Sequence, residues 1–115
     1  MKVRVTAAEI EVSKHLHLEV LQAFGRSRLC PVSLAVAKQL NITQLSGERF
    51  ISTGAHGTVT LVNNDEYRTL TGNIPGVKRF VKVFDQWALS RFRGKAPRGF
   101  SFEMENPQND ANTSS

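Results

Sequence analysis

At 115 residues the chain has room for about one domain of the usual ~100–150 residues, which excludes a multi-domain enzyme. With 40% hydrophobic residues it can build a modest core, yet no run approaches the ~18 apolar residues of a membrane span, and the single cysteine, Cys30, rules out an intrachain disulfide or an all-cysteine metal site. The net charge of +5 hides an uneven distribution: the segment 78–98 carries seven cations against the one acid Asp85, while the rest of the chain is close to neutral. Charges interrupt the first 25 residues where a signal peptide needs an apolar core, so the chain is expected to start near Met1 and stay in the cytoplasm.

In chain order, Lys2 to Thr6 alternates Val3 and Val5 with Lys2 and Arg4, the period of a strand at or beside a sheet edge. Thr6-Ala7-Ala8-Glu9 has capping-box spacing and predicts a helix from about Ala7 to Gly25. Its stripe is Ile10, Ser13, Leu16, Val20, Leu21 and Phe24, with a break expected between Ser13 and His17. Gly25-Arg26-Ser27-Arg28 reads as a loop. Pro31 then opens a helix to Leu40 that is apolar nearly all round, the pattern of a buried core helix, with Asn41 suited to its left-handed end.

Strands are expected at Ile42 to Leu45, Arg49 to Ser52, Thr58 to Val62 and Tyr67 to Leu70, separated by turn residues at the spacing of an antiparallel meander. Beyond Pro75, the positions Val77, Phe80, Val81, Phe84 and Ala88 predict an amphipathic helix with Lys78, Arg79, Lys82 and Asp85 on its other flank. Ser90 to Gly99 reads as a mobile basic loop. Phe100, Phe102 and Met104 alternate with polar residues as a last strand, and residues 106–115 have nothing to bury and are expected to be a disordered polar tail.

The chemistry that these residues carry is sparse. Neither a phosphate-cradling Gly-x-x-x-x-Gly-Lys-Ser/Thr loop nor a Gly-x-Gly-x-x-Gly turn is present, and Gly54-Ala55-His56-Gly57 resembles neither. Cys30 could meet His15, His17 or His56 as a nucleophile, but a thiol just before a buried helix usually only packs. His15 and His17 point about 200° apart on a helix and fall short of the usual four zinc ligands. The carboxylate pairs Asp65 with Glu66 and Glu103 with Glu105 are expected to be solvated and poor general acids. No metal, cofactor or catalytic activity is therefore expected.

Trp87, Arg91, Phe92 and Arg93 are the one place where aromatic and basic residues interleave. An exposed Phe92 would stack on bases; a Phe92 that closes the edge of the core with Trp87 is the reading favoured by so apolar a helix. A weak helix-turn-helix impression around Gly25 to Arg28 fails because the second helix offers almost no base-reading side chains.

Cys30-Pro31-Val32-Ser33-Leu34-Ala35, then Pro75 with Val77-Lys78-Arg79-Phe80-Val81-Lys82-Val83-Phe84-Asp85, and a closing Pro97-Arg98-Gly99-Phe100-Ser101-Phe102 make the chain resemble a group of small accessory proteins of bacteriophages and prophages. That resemblance implies action by binding, as inhibitors of bacterial immune complexes or as sponges for nucleotide signals.

The expectation is thus one α+β domain over residues 1–105, an antiparallel sheet against two or three helices, acting without catalysis. Its binding residues would be Lys78, Arg79, Lys82, Arg91, Phe92, Arg93, Lys95 and Arg98. Their partner would be an acidic protein surface, a nucleotide or nucleic acid, with no membrane involved, and sequence-nonspecific nucleic-acid binding is the alternative function. The contrary reading is that these cations only keep the protein soluble. A small sheet with free edges often pairs to close them, so a homodimer is among the expected partners.

Overall fold

The computed structural model describes residues 1–107, opening with strand β1 (Lys2–Val5), whose Val3 and Val5 are buried while Lys2 and Arg4 face solvent. The capping box then closes as its spacing requires: the Glu9 carboxylate accepts from the Thr6 N–H at 3.0 Å and from its hydroxyl, and Thr6 Oγ1 accepts from Ala8 N at 3.2 Å. Helix α1 (Ala7–Phe24) runs unbroken through the expected interruption. Two bonds satisfy the polar groups that suggested a break: Ser13 Oγ donates to the Leu29 carbonyl at 2.5 Å, and His17 Nδ1 donates to the Ser13 carbonyl at 2.8 Å. The buried face is accordingly Glu9, Ile10, Ser13 and His17, whereas Leu16, Val20, Leu21 and Phe24 are only half-buried.

Gly25 (φ 79°) turns the chain into α2 (Arg26–Leu29), a single turn where a loop was expected. Helix α3 (Pro31–Gln39) buries Pro31, Val32, Ser33, Ala35, Val36 and Ala37, the all-round burial that its composition demands. It ends in a Schellman motif: Ile42 N donates to Ala37 O at 2.8 Å and Asn41 N to Lys38 O at 3.2 Å, with Asn41 left-handed at φ 58°.

Ile42 to Leu45 is not the strand expected. Instead the buried side chain of Gln44 pairs with the edge of β2 (Arg49–Thr53): its Nε2 donates to Ile51 O, its Oε1 accepts from Ile51 N, and Nε2 also reaches Arg28 O. One amide thus supplies what a strand's backbone would. Strands β2, β3 (Val59–Asn63) and β4 (Glu66–Leu70) form the expected antiparallel meander. Asn64 and Asp65, at φ 50° and 68°, make a two-residue β3–β4 turn of the type I′ kind, whose twist matches the strands it joins.

Helix α4 (Ile74–Leu89) follows, and β5 (Phe100–Glu103) returns to pair antiparallel with β1, placing Phe102 opposite Val3 and Phe100 opposite Val5. The class is α+β as expected, but among the described residues the single sheet is in fact two, of three and two strands, and the helices number four. The sheets meet at a bridge between Gly72 and Met104. There Glu105 takes over: its N–H donates to Thr71 O and its carboxylate accepts from Thr71 N, both at 2.8 Å, so local bonds replace a continued ladder. One buried cluster joins both sheets and helices α1, α3 and α4, and includes Val3 and Phe102, Ile51 and Val59, Ile10, and Val32, Val36, Phe80 and Phe84. Asn106 and Pro107, expected in the tail, are half-buried and buried, while the expectation for 108–115 lies outside the described residues.

Candidate anion-binding face

Helix α4 divides its residues as their spacing dictates. Val77, Phe80, Val81, Phe84 and Trp87 are buried, and Lys78, Arg79 and Lys82 are exposed. Asn73 caps the helix, its Oδ1 accepting from Gly76 N at 3.1 Å, and Pro75 stands in the first turn where no N–H is missed. The far end is again a Schellman motif: Phe92 N donates to Trp87 O at 2.9 Å and Arg91 N to Ala88 O at 3.0 Å. Here the left-handed position is held by Arg91 (φ 60°) rather than glycine, and Phe92 (φ 61°) follows in the same region.

That turn decides the placement of Phe92. Its ring packs edge-on against Trp87 at 4.9 Å and against His17 at 6.1 Å, the contact between C″ and C3 that accompanies the motif. Half-buried and occupied in this way, Phe92 closes the edge of the core and offers no open stacking platform. The other seven expected residues, Lys78, Arg79, Lys82, Arg91, Arg93, Lys95 and Arg98, are all exposed.

Among the described residues, the ion pairs lie elsewhere: Glu11 with His15, Glu9 with Lys38, Glu105 with Arg68, and Glu103 with the terminal amine. Asp85, the one acid within the basic segment, is half-buried. Burial raises its carboxyl pKa against the opposing pull of Arg26 and His17.

Between residues 90 and 99 the chain doubles back along α4. Ser90 Oγ donates to Trp87 O at 2.7 Å and accepts from Arg93 N at 3.3 Å, which ties the start of the segment to the helix end. At its other end Gly99 lies so close to the Val5 carbonyl of β1 that a side chain there would collide with it. The result is a cleft of about 450 Å³ between the first half of α4 and the entry to β5, with Arg79 and Arg98 on its rim and Phe80, Val83, Pro97 and Phe100 in its wall. Of the expected residues, the fold brings only Arg79 and Arg98 into this cleft.

Sequence reasoning missed Asn73, Gly76, Phe80 and Phe100 as cleft residues. The available signals were the aromatic face beside Arg98 and a cap residue ahead of Pro75; their apposition depends on β5 returning to β1. A second, larger groove of about 830 Å³ gathers Lys2, Arg4 and Lys38, cations far apart in sequence, but Glu9 lies inside it and takes Lys38 at 4.0 Å.

The nucleophile candidate is placed badly for chemistry. Cys30 is buried in the core, and that burial pushes its thiol up to about 12, where the reactive thiolate is scarce at neutral pH. His15 is exposed beside Glu11 while His17 is buried, so the two do not converge, and no group of three or more His, Cys, Asp or Glu among the described residues could hold a metal ion. Among the described residues, no helix is long and apolar enough to cross a membrane. No protein-family model, curated protein or solved structure matches the chain.

Proposed function

We propose that this is a non-catalytic binding protein of the phage accessory kind, acting in counter-defence as an inhibitor of a bacterial immune complex or a sponge for a nucleotide signal. It would hold its anionic partner on Lys78, Arg79, Lys82, Arg91, Arg93, Lys95 and Arg98. The observation that carries this reading is that all seven cations are exposed and that none of them takes part in the ion pairs found among the described residues. An unneutralised positive field of this kind attracts phosphates and acidic surfaces and speeds their encounter. The inert setting of Cys30 supports binding over turnover.

Sequence-nonspecific nucleic-acid binding is the second reading. It is favoured by the spread of cations from the first turns of α4 to the loop beyond its end, about 24 Å of helix at 1.5 Å per residue. Titrating labelled single-stranded and duplex DNA at several salt concentrations separates the two. Strand binding should weaken with a log–log slope of about one per phosphate contacted, and a flat response removes it. Neutralising all seven residues should abolish the biological effect in infected cells; a folded variant that keeps the effect removes the whole proposal. Homodimerisation through β4, the outer strand of the three-stranded sheet, belongs to the same proposal, and light scattering of the purified chain tests it.

A further inference from the structure

The cleft at Arg79 and Arg98 combines two features that a purely electrostatic surface does not need. We propose that it seats one nucleoside monophosphate unit, the phosphate on Arg79 and Arg98 and the base against the apolar wall of Val83, Pro97 and Phe100, a reading that rests on the basic face being an anion-binding surface.

Its volume of about 450 Å³ lies in the ~300–1,000 Å³ range of small-ligand sites. No carboxylate lines it, in contrast to the larger groove built around Glu9. Two guanidinium forks match the oxygens of a phosphate better than ammonium groups do. Asn73 and Gly76 bring the first turn of the 16-residue helix α4 to the same cleft, and because Asn73 Oδ1 is engaged by Gly76 N, its amide nitrogen is the atom left to donate. The positive end of the helix adds to the attraction for an anion.

A phosphate alone would have no use for the apolar wall. Phe100 is half-buried and already held by stacked contacts, to Phe80 at 4.9 Å and 26° and to Phe102 at 5.4 Å and 20°. These neighbours take up the faces of the ring and make it part of a rigid apolar wall, continued by Val83 and Pro97, against which a flat ligand can lie at little cost in side-chain freedom. The ligand class that joins an anion to a flat aromatic body is the nucleotide, either free or as one unit of a single strand.

Isothermal titration of the full chain in about 25 mM salt, with AMP, adenosine, inorganic phosphate and an oligothymidylate of about 12 nucleotides as probes, tests the assignment. AMP should bind about tenfold tighter than phosphate or adenosine. The double variant Arg79→Gln/Arg98→Gln should weaken AMP about tenfold, while Lys2→Gln/Arg49→Gln, exposed cations outside both the cleft and the basic face, should leave it within about twofold. Phe100→Leu should reduce AMP to the level of inorganic phosphate without changing phosphate itself. The arginines are exposed, so their variants should melt with the parent chain. Competition between AMP and the oligothymidylate shows whether the unit enters free or within a strand. The assignment is overturned if AMP binds no tighter than phosphate, or if both double variants weaken it equally. A chain that binds oligothymidylate but not AMP overturns the cleft and leaves the basic-face reading standing; a chain that binds none of these anions counts against both.

Discussion

Arg91 sits at φ 60° in the turn that ends α4, a conformation costing a side-chain-bearing residue roughly 1–2 kcal/mol. Arg91→Gly should therefore stabilise the chain by about 1 kcal/mol and raise its melting temperature by a few degrees, and Arg91→Val should lower it, as differential scanning calorimetry would register. His17 makes a second residue-scale prediction. Burial is the main cause that lowers its pKa from 6.5, with Arg26 pushing the same way, while its bond to Ser13 and the charge of Asp85 oppose the shift. The unfolded chain then takes up the proton more readily than the folded one, so stability should fall as the pH drops through 6.5 towards the lowered value. Asp85, whose pKa is raised from 3.8, works in the opposite sense and only at lower pH, where the folded state takes its proton first. Urea midpoints at about pH 7.5 and 5.5 should show the loss in the parent chain and a smaller loss in His17→Asn. Cys30 should react with a thiol reagent slowly in the native chain and quickly in urea, since burial holds the thiol protonated.

Among the elements, the ones whose information is local were legible in the sequence. The Thr6 capping box, the buried α3 with Asn41 at its end, the meander of β2 to β4 and the amphipathic α4 each depend on spacing within a few residues. Two of the misreadings involve a partner outside the local window. Ile42 to Leu45 has strand-like composition, but Gln44 satisfies β2 from a loop because the fold delivers its amide to Ile51 and Arg28 together. Gln44→Ala would leave the Ile51 backbone groups unpaired in the interior and should cost about 2–3 kcal/mol, read from urea unfolding. Likewise α1 runs through Ser13 because Leu29, sixteen residues on, accepts its hydroxyl. Gly99→Ala should both destabilise the β1–β5 pair and weaken anion binding in the cleft, since the added carbon displaces the segment that carries Arg98 away from Val5.

For the molecule as a whole, charge is a property of position on a surface, and position along the chain predicted it only in part. The excess of cations between Lys78 and Arg98 could be counted in advance, as could the outward flank of α4. Which of those cations face a cleft could not, because Arg79 and Arg98 are nineteen positions apart and meet only when β5 returns to β1. The same applies to Phe92, where composition allowed both a stacking platform and a core edge and the left-handed turn at Arg91 selects the core. Local spacing, caps and composition by themselves determined an α+β chain with a basic third segment, since propensity, capping and amphipathic period act over a few residues. Only the tertiary structure decided that there are two sheets, that Arg26 and His17 act on a half-buried Asp85, and that two arginines share a wall with Phe100, since these follow from packing between segments that the chain keeps far apart.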